Sequence, residues 1–94
     1  MWILKSSTDD SITFRLAPGG IKTIGRAPRA DFIIDAALVS RLHCRVEAAH
    51  DSLNIIDLAS TNGTYVNDER VDRATIATGD RLRVGRVELS VERG

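Results

Sequence analysis

The sequence predicts an all-β domain, built as a sandwich or a barrel, and three observations support this prediction. Wherever apolar residues show a clear phase, they recur at every second position, which is the pattern of a strand with one face in water. Turn-forming residues separate these segments at short intervals. No segment shows the three-to-four-residue apolar spacing of a helix. Many short strands joined by frequent turns are typical of β-sandwiches and β-barrels.

Five strands are predicted in the first half of the chain. Apolar and polar residues alternate over 12–16 and again over 44–48, and these two segments define the second and fifth strands. Turn signals at 9–10, 18–20 and 27–28 separate the remaining segments. The predicted ranges are 1–5, 12–17, 21–25, 32–34 and 43–48.

Six more strands are predicted in the second half. The alternation returns over 81–84 and 87–91, where it defines the last two strands. Turn signals at 62–63, 67–68 and 79–80 divide the segments before them. The predicted ranges are 53–58, 64–66, 69–71, 74–76, 81–84 and 87–92.

Length and charge limit what this protein can do. A chain of 94 residues is long enough for one hydrophobic core, so we expect a single domain over residues 1–94. The 13 Lys and Arg residues balance the 13 Asp and Glu residues. No overall positive field therefore attracts nucleic acid or an anionic membrane, and any bound anion must be held by a local cluster.

Cysteine content and hydropathy exclude further classes of protein. The single cysteine, Cys44, excludes an internal disulfide and a multi-cysteine metal site. No apolar run exceeds four residues, as at 1–4 and 36–39, so the sequence encodes neither a signal peptide nor a membrane span. We expect a soluble, cytoplasmic and monomeric protein without a cofactor or a metal.

Three stretches lack the strand pattern, namely 26–31, 35–42 and 59–63. Loops at the same end of a sandwich converge in space, and binding groups usually lie on such loops. Groups that can bind an anion are concentrated there: Arg26, Ser40, Arg41, Ser60, Thr61 and Asn62. Since the planar fork of Arg suits phosphate oxygens, the sequence predicts a phosphate site.

The same residues stand in an order that resembles a known family. The motifs are Gly25-Arg26, then Ser40-Arg41-Leu42-His43, then Ser60-Thr61-Asn62-Gly63-Thr64-Tyr65-Val66-Asn67. Together they look like the signature of the forkhead-associated (FHA) domain. The downstream Gly79-Asp80 and Val84-Gly85 also resemble that family, and the match covers Met1 to Glu92.

This resemblance implies both a fold and a function. The fold would be an eleven-stranded β-sandwich of two mostly antiparallel twisted sheets, the FHA-like or SMAD/FHA architecture. The function would be that of a phosphothreonine-binding module, which recognises phosphorylated peptides or proteins in Ser/Thr kinase signalling. The partner would be a phosphothreonine-containing protein, with a Ser/Thr protein kinase acting upstream of it.

The resemblance also implies roles for single residues. Carried over by matching position, Arg26, Ser40 and Thr61 would contact the phosphate. Arg41 stands where the family often has a basic residue that also reaches the phosphate. Asn62 would instead hold the backbone of the bound peptide. Three more positions match residues that support the site: Gly25, His43 and Gly63.

Each candidate residue also has a simpler explanation. Arg26 could be a solvated residue that pairs with Asp31 or Asp35. Ser40 could bond its own backbone in a turn, and the residues at 61–62 could serve only as turn formers. The combined pattern favours the binding roles over these explanations.

Residues outside the site are interpreted structurally. Asn67-Asp68 stands where the family often has Asn-Gly, and Asp tolerates positive φ, so we expect a hairpin turn in a less favourable form. Cys44 lies in the apolar phase of its strand and is expected to be a buried small hydrophobe. Trp2 is expected to pack at an edge. A cationic, solvated strand face is expected from Arg81, Arg83 and Arg86.

Two other functions compete with phosphothreonine binding. Ser40, His43 and Asp57 are the residue types of a hydrolase triad. The chain nevertheless has no Gly-x-Ser-x-Gly elbow, no phosphate-binding Gly-Lys-Ser/Thr loop and no zinc-ligand spacing, so we do not expect an enzyme. The remaining alternative is a degenerate FHA-like domain that binds a partner independently of phosphate.

Overall fold

The computed structural model describes residues 1–9 and 11–94, and within them it confirms the all-β fold. Each of the eleven strands found there begins and ends within one residue of its predicted range. No helix in these two ranges is long and apolar enough to cross a membrane. The strands are β1 Trp2–Ser6, β2 Thr13–Leu16, β3 Ile21–Gly25, β4 Phe32–Ile33, β5 Cys44–Ala48, β6 Leu53–Asp57, β7 Thr64–Val66, β8 Glu69–Val71, β9 Arg73–Ile76, β10 Arg81–Val84 and β11 Val87–Arg93.

The strands form two sheets, as the sandwich prediction requires. The six-stranded sheet has the order β2-β1-β11-β10-β7-β8, and the five-stranded sheet has the order β4-β3-β5-β6-β9. Neighbouring strands are antiparallel except β3 and β4, which are parallel. Because β4 runs in the same direction as β3, residues 26–31 must turn back beside β3. Asp31 is held there, since its Oδ2 accepts the backbone N–H of Thr23 at 2.9 Å.

The core lies between the two sheets and is almost entirely apolar. Its fully buried side chains include Leu4, Leu82 and Leu89 from the six-stranded sheet and Ile24, Val46, Leu53 and Ile55 from the five-stranded sheet. Burial of one such side chain contributes about 1.5–3 kcal/mol. The sheets are therefore held together by packing, which leaves the loops at their ends free for binding.

Two predictions about single side chains have opposite outcomes. Cys44 is fully buried, and burial, helped by the nearby Asp57 carboxylate, raises the pKa of its thiol to about 12, which confirms an inert small hydrophobe. The edge position of Trp2 is wrong, because only 1% of this residue is exposed. β2 pairs with β1, so β1 is not an edge strand of its sheet. The Trp2 ring belongs to the core cluster, and its Nε1 donates to the Ala49 carbonyl at 2.8 Å.

The turn between β7 and β8 forms despite its unusual sequence. Asn67 and Asp68 have φ values of 49° and 69°, and two positive values are typical of a type I′ hairpin turn. The Asn67 amide donates to Asp80 at 3.0 Å, and Asp68 pairs with Arg81 at 3.3 Å. These contacts secure the hairpin where glycine is absent.

Candidate anion-binding site

The three predicted loops meet at one end of the sandwich. The Arg26 N–H donates to the Ser40 carbonyl and the Ala27 N–H donates to the Arg41 carbonyl, both at 3.0 Å. From the other side, the Thr61 N–H donates to the Ser40 Oγ, also at 3.0 Å. Ser40 therefore lies between the first loop and the third, as the convergence prediction requires.

Gly25 makes the close approach of the first two loops possible. A methyl group built at this position would overlap the carbonyl oxygen of Arg41 and would lie 2.8 Å from its carbonyl carbon. These are backbone atoms, which cannot move aside by changing a rotamer. Any side chain at residue 25 would consequently push Arg41 away from Arg26.

The two arginines line a shared cavity of about 180 Å³, together with Ala27 and Pro28. The Nε of Arg26 donates to the Val39 carbonyl at 3.1 Å, and this bond fixes the plane of the guanidinium. Within residues 1–9 and 11–94, neither terminal nitrogen of Arg26 has a hydrogen-bond or ion-pair partner. Arg26 therefore does not form the ion pair that its simpler explanation requires.

Two hydroxyl groups stand on the loops that meet beside the two arginines. Ser40 Oγ accepts the Thr61 N–H, so its own hydrogen remains available, and the Thr61 hydroxyl is exposed. Two guanidinium groups at one cavity and two hydroxyl groups on the adjoining loops are thus brought to the same end of the sandwich. A phosphorylated side chain, with three acceptor oxygens and about −1.5 to −2 charges, needs several donors of this kind at once.

Asn62 lies at the rim and holds a strained residue. Its Nδ2 donates to the Leu38 carbonyl at 3.1 Å, which leaves one amide hydrogen and the Oδ1 free. Leu38 has a φ of 72°, a left-handed conformation that costs about 1–2 kcal/mol for a residue with a β-carbon. Gly85 packs beneath it, since a methyl group built there would lie 3.0 Å from the Leu38 oxygen.

His43 joins two of the loops from below. It is fully buried, and its Nδ1 accepts the Ser40 N–H at 3.0 Å. Because Nδ1 is the acceptor, the ring proton lies on Nε2, which donates to the Gly63 carbonyl at 2.8 Å. The Ser40 hydroxyl contacts Thr61 rather than this ring, so the residues do not form a nucleophile–base pair.

Asp57 organises the third loop, a role that the sequence analysis missed. Its Oδ1 accepts the hydroxyl groups of Ser60 at 2.5 Å and Thr64 at 2.7 Å, and its Oδ2 accepts the Ser60 N–H at 3.1 Å. Ser60 Oγ in turn accepts the Gly63 N–H at 3.0 Å. The Ser60 hydroxyl is therefore part of the loop scaffold and is not available to a ligand.

The pKa of Asp57 reflects this scaffold. Burial alone would raise the pKa of its carboxyl, but the hydrogen bonds from Ser60 and Thr64 outweigh burial and hold the pKa below its ordinary value of 3.8. A carboxyl with a lowered pKa in the folded state stabilises the fold above its unfolded pKa. This contribution is lost as the pH falls through the folded-state value.

The Asp57→Asn variant should lose about 2 kcal/mol of unfolding free energy at about pH 7, because charge-assisted hydrogen bonds become neutral ones. At about pH 3 the difference from the parent should shrink, because this pH is below the ordinary carboxyl pKa of 3.8 and the unfolded parent takes up a proton that the folded parent binds less readily. Urea denaturation of the parent and the variant at both pH values measures this difference in unfolding free energy. Asp35→Asn, at an exposed position, is the control. Equal stability of Asp57→Asn and the parent at about pH 7 would show that the carboxylate does not hold the loop.

The comparison with known proteins decides the family. A family model of the FHA domain matches residues 22–85. The chain belongs to the FHA domain family. This membership confirms the predicted FHA resemblance and the prediction that the chain is not an enzyme. Among the residues described, no three His, Cys, Asp or Glu side chains are grouped so that they could hold a metal ion.

Similar proteins include a regulator and two solved FHA domains. The glycogen accumulation regulator GarA of Mycobacterium tuberculosis is 41% identical over 69 residues, which are 73% of this chain and 43% of GarA. The chain thus spans less than half the length of the curated relatives that it matches. The FhaA FHA domain, solved in complex with the intracellular domain of Rv3910, has a TM-score of 0.89 at 33% identity, with 98% of this chain and 100% of that chain covered. An FHA domain from a study of phosphothreonine-dependent FHA domain interactions has a TM-score of 0.90 at 32% identity, with 99% and 96% covered.

Proposed function

We propose that this FHA domain is a phosphothreonine-dependent interaction module that binds phosphorylated proteins in Ser/Thr kinase signalling. One observation carries the proposal: Ser40 contacts both the loop of Arg26 and the loop of Thr61, beside a cavity that Arg26 and Arg41 line. The phosphothreonine-dependent interactions reported for a similar FHA domain support the choice of ligand.

The proposed phosphate ligands are groups that still have a hydrogen to donate. The terminal nitrogens of Arg26 and the guanidinium of Arg41 would bind phosphate oxygens, and the hydroxyl groups of Ser40 and Thr61 would complete the set. A hydrogen bond to a charged group contributes about 1.5–3 kcal/mol. Several such bonds, less the cost of ordering the peptide, correspond to about −8 kcal/mol, or a micromolar Kd.

Asn62 would orient the peptide rather than the phosphate. Its free amide hydrogen and Oδ1 form a donor–acceptor pair at the rim, which suits the N–H and C=O of one peptide residue. Gly25, His43 and Gly63 would support the site without touching the ligand, by permitting or fixing the positions of the loops.

The wider setting is also part of the proposal. We propose that residues 1–94 form one monomeric binding module, that it acts in the cytoplasm and that a Ser/Thr kinase marks its partner. The balanced charge of the chain supports a phosphoprotein partner rather than nucleic acid or a membrane.

Titration with a phosphothreonine peptide, its unphosphorylated copy and its phosphoserine copy tests this function. We expect micromolar binding of the phosphothreonine peptide, weaker binding of the phosphoserine copy and no measurable binding of the unphosphorylated copy. Arg26→Ala should weaken binding by about tenfold to a hundredfold, because its fork supplies charge-assisted bonds. Its melting temperature should barely change, since Arg26 is exposed.

Arg29→Ala is the matched control, because Arg29 is an exposed arginine of the same loop. Its effect on affinity should be small. Binding that ignores the phosphate would contradict the proposal and would favour the degenerate FHA-like alternative. A large fall in melting temperature for Arg26→Ala with intact binding would show that this residue has a structural role instead.

A further inference from the structure

The third loop contains an asparagine followed by a glycine, Asn62-Gly63, and this pair is chemically labile. Asparagine is one of the thermolabile residues, because the backbone nitrogen of the next residue can attack its side-chain carbonyl carbon. Glycine leaves this approach open, since it has no β-carbon. The other two asparagines, Asn54 and Asn67, precede isoleucine and aspartate, so Asn62 is the most susceptible asparagine of the chain.

The reaction, deamidation, needs only water as a co-reactant, and Asn62 is exposed to solvent. The Gly63 nitrogen loses its proton and bonds to Cγ of Asn62, while the bond from Cγ to Nδ2 breaks and Nδ2 leaves as ammonia. Water then opens the cyclic imide that results. Attack of water at Cγ yields aspartate, whereas attack at the backbone carbonyl carbon of residue 62 yields isoaspartate, in which the main chain runs through Cβ. Neither product retains the amide.

The folded loop restrains both groups that must react. The Gly63 N–H, which has to give up its proton, donates to Ser60 Oγ at 3.0 Å in a buried hydrogen bond. The leaving group, Nδ2 of Asn62, donates to the Leu38 carbonyl at 3.1 Å. Deamidation therefore requires the loop at 60–63 to open, and its rate follows the population of the open state.

Either product would disrupt the rim of the binding site. A carboxylate at residue 62 has no hydrogen to donate, so its oxygens would repel the Leu38 carbonyl oxygen. Leu38, with its φ of 72°, would lose that support, and a negative charge would stand beside a site proposed for a doubly charged phosphate. In isoaspartate, the extra backbone atom would displace Gly63, whose carbonyl is hydrogen-bonded to His43.

We propose that Asn62 is a modification site at which deamidation ends phosphopeptide binding, and that opening of the 60–63 loop sets the rate of this reaction. A bound phosphopeptide should slow the reaction, because it engages the Asn62 amide and holds the loop closed. The effects on binding rest on the proposed function, whereas control of the rate by the loop does not. Domains without a partner are thus inactivated with time, and domains that hold their partner are preserved.

Peptide mapping by mass spectrometry tests the control of the rate. The fraction deamidated at residue 62 is followed in the parent and in Ser60→Ala, both folded and in urea. The folded parent should react at least about tenfold more slowly than the parent in urea. Folded Ser60→Ala should react about tenfold faster than the folded parent, because the loss of one buried hydrogen bond raises the open population by about that factor. In urea the two proteins should react equally.

Thr64→Val is the matched control. It removes another hydroxyl that donates to Asp57, but it leaves the bond between Ser60 and Gly63 intact, so it should react at nearly the parent rate. Circular dichroism establishes that each variant is folded during the assay. Should Ser60→Ala not fold, the ratio between the folded parent and the parent in urea decides alone. If that ratio is one, or if folded Ser60→Ala reacts no faster than Thr64→Val, the loop does not control the reaction and the proposal fails.

Titration with a phosphothreonine peptide tests the effect on binding. Asn62→Asp reproduces the aspartate product and should lose at least about tenfold in affinity, more than Asn62→Ala, which removes the amide without adding a charge. At a peptide concentration of about ten times Kd, the parent should deamidate about tenfold more slowly than with the unphosphorylated copy.

The outcomes separate this inference from the proposed function. If the parent binds no phosphopeptide, the proposed function fails, and the effect of Ser60→Ala on the rate still decides whether the loop controls deamidation. If the parent binds the phosphopeptide but Asn62→Asp binds it equally well, or if the bound peptide does not slow deamidation, the role of Asn62 as a modification site that ends binding is overturned while the proposed function stands.

Discussion

The His43→Ala variant should lose about 3–5 kcal/mol of unfolding free energy, the largest effect expected of any single substitution discussed for this domain. His43 is fully buried, and both ring nitrogens are hydrogen-bonded. Removing the ring leaves the Ser40 N–H and the Gly63 carbonyl unpaired, each at a cost of about 1–3 kcal/mol. It also leaves a cavity that the surrounding strands can fill only in part.

Urea denaturation of the parent, His43→Ala and His50→Ala measures this effect. His50 is the other histidine of the chain and is exposed in the turn between β5 and β6, so its replacement should change stability by less than about 0.5 kcal/mol. Equal losses in the two variants would show that the buried ring does not join the loops.

The same substitution should also abolish phosphopeptide binding in the fraction that still folds. His43 bonds Ser40 on one side and Gly63 on the other, so it sets the distance between the second loop and the third. Without the ring, Ser40 and Thr61 lose their fixed relation, and the donors no longer converge. Loss of affinity under conditions where the variant is mostly folded separates this effect from unfolding.

The strands could be predicted closely because this fold is rich in local signals. Each strand has a period-two pattern or is bounded by turn residues, and these signals do not depend on distant partners. The pairing of the strands does depend on them. That β2 covers β1, for example, is not visible in either segment, and so the burial of Trp2 was not predicted.

The loops, like the strands, could be predicted where the signal is local and could not where it depends on distant residues. The approach of Arg26, Ser40 and Thr61 was predictable, because each stands in a recognisable motif and in one of the three loops predicted between strands. The conformation of Leu38 was not, since leucine rarely adopts a positive φ and its two supports lie far away in the sequence. These supports are Asn62, which binds its carbonyl, and Gly85, which leaves room for it.

The residues that hold the binding loops in place show that a pattern of residue types can suggest the wrong hydrogen-bond partner. Asp57 and His43 are triad residue types, but Asp57 bonds Ser60 and Thr64 instead of the imidazole. A signal for this role was present, because an Asp followed three residues later by Ser is a common spacing for side-chain bonds to a turn.

The Gly25→Ala variant should lose about 3 kcal/mol of unfolding free energy and most of its phosphopeptide affinity. Gly25 does not have a positive φ, so the cost arises from overlap with the Arg41 backbone and not from backbone strain. To relieve the overlap, Arg41 must move away from β3. That movement breaks the bonds from the 26–27 backbone to the second loop and opens the cavity shared by Arg26 and Arg41.

Gly79→Ala separates steric overlap from backbone strain. Gly79 has a φ of 94°, but a methyl group built there contacts nothing within 4 Å. This control should lose about 1 kcal/mol from conformational strain and should keep its full affinity. Urea denaturation and titration with one phosphothreonine peptide measure both quantities for both variants. If Gly25→Ala binds as tightly as Gly79→Ala, the first two loops can separate without loss of function, and the contact between them is not what forms the site.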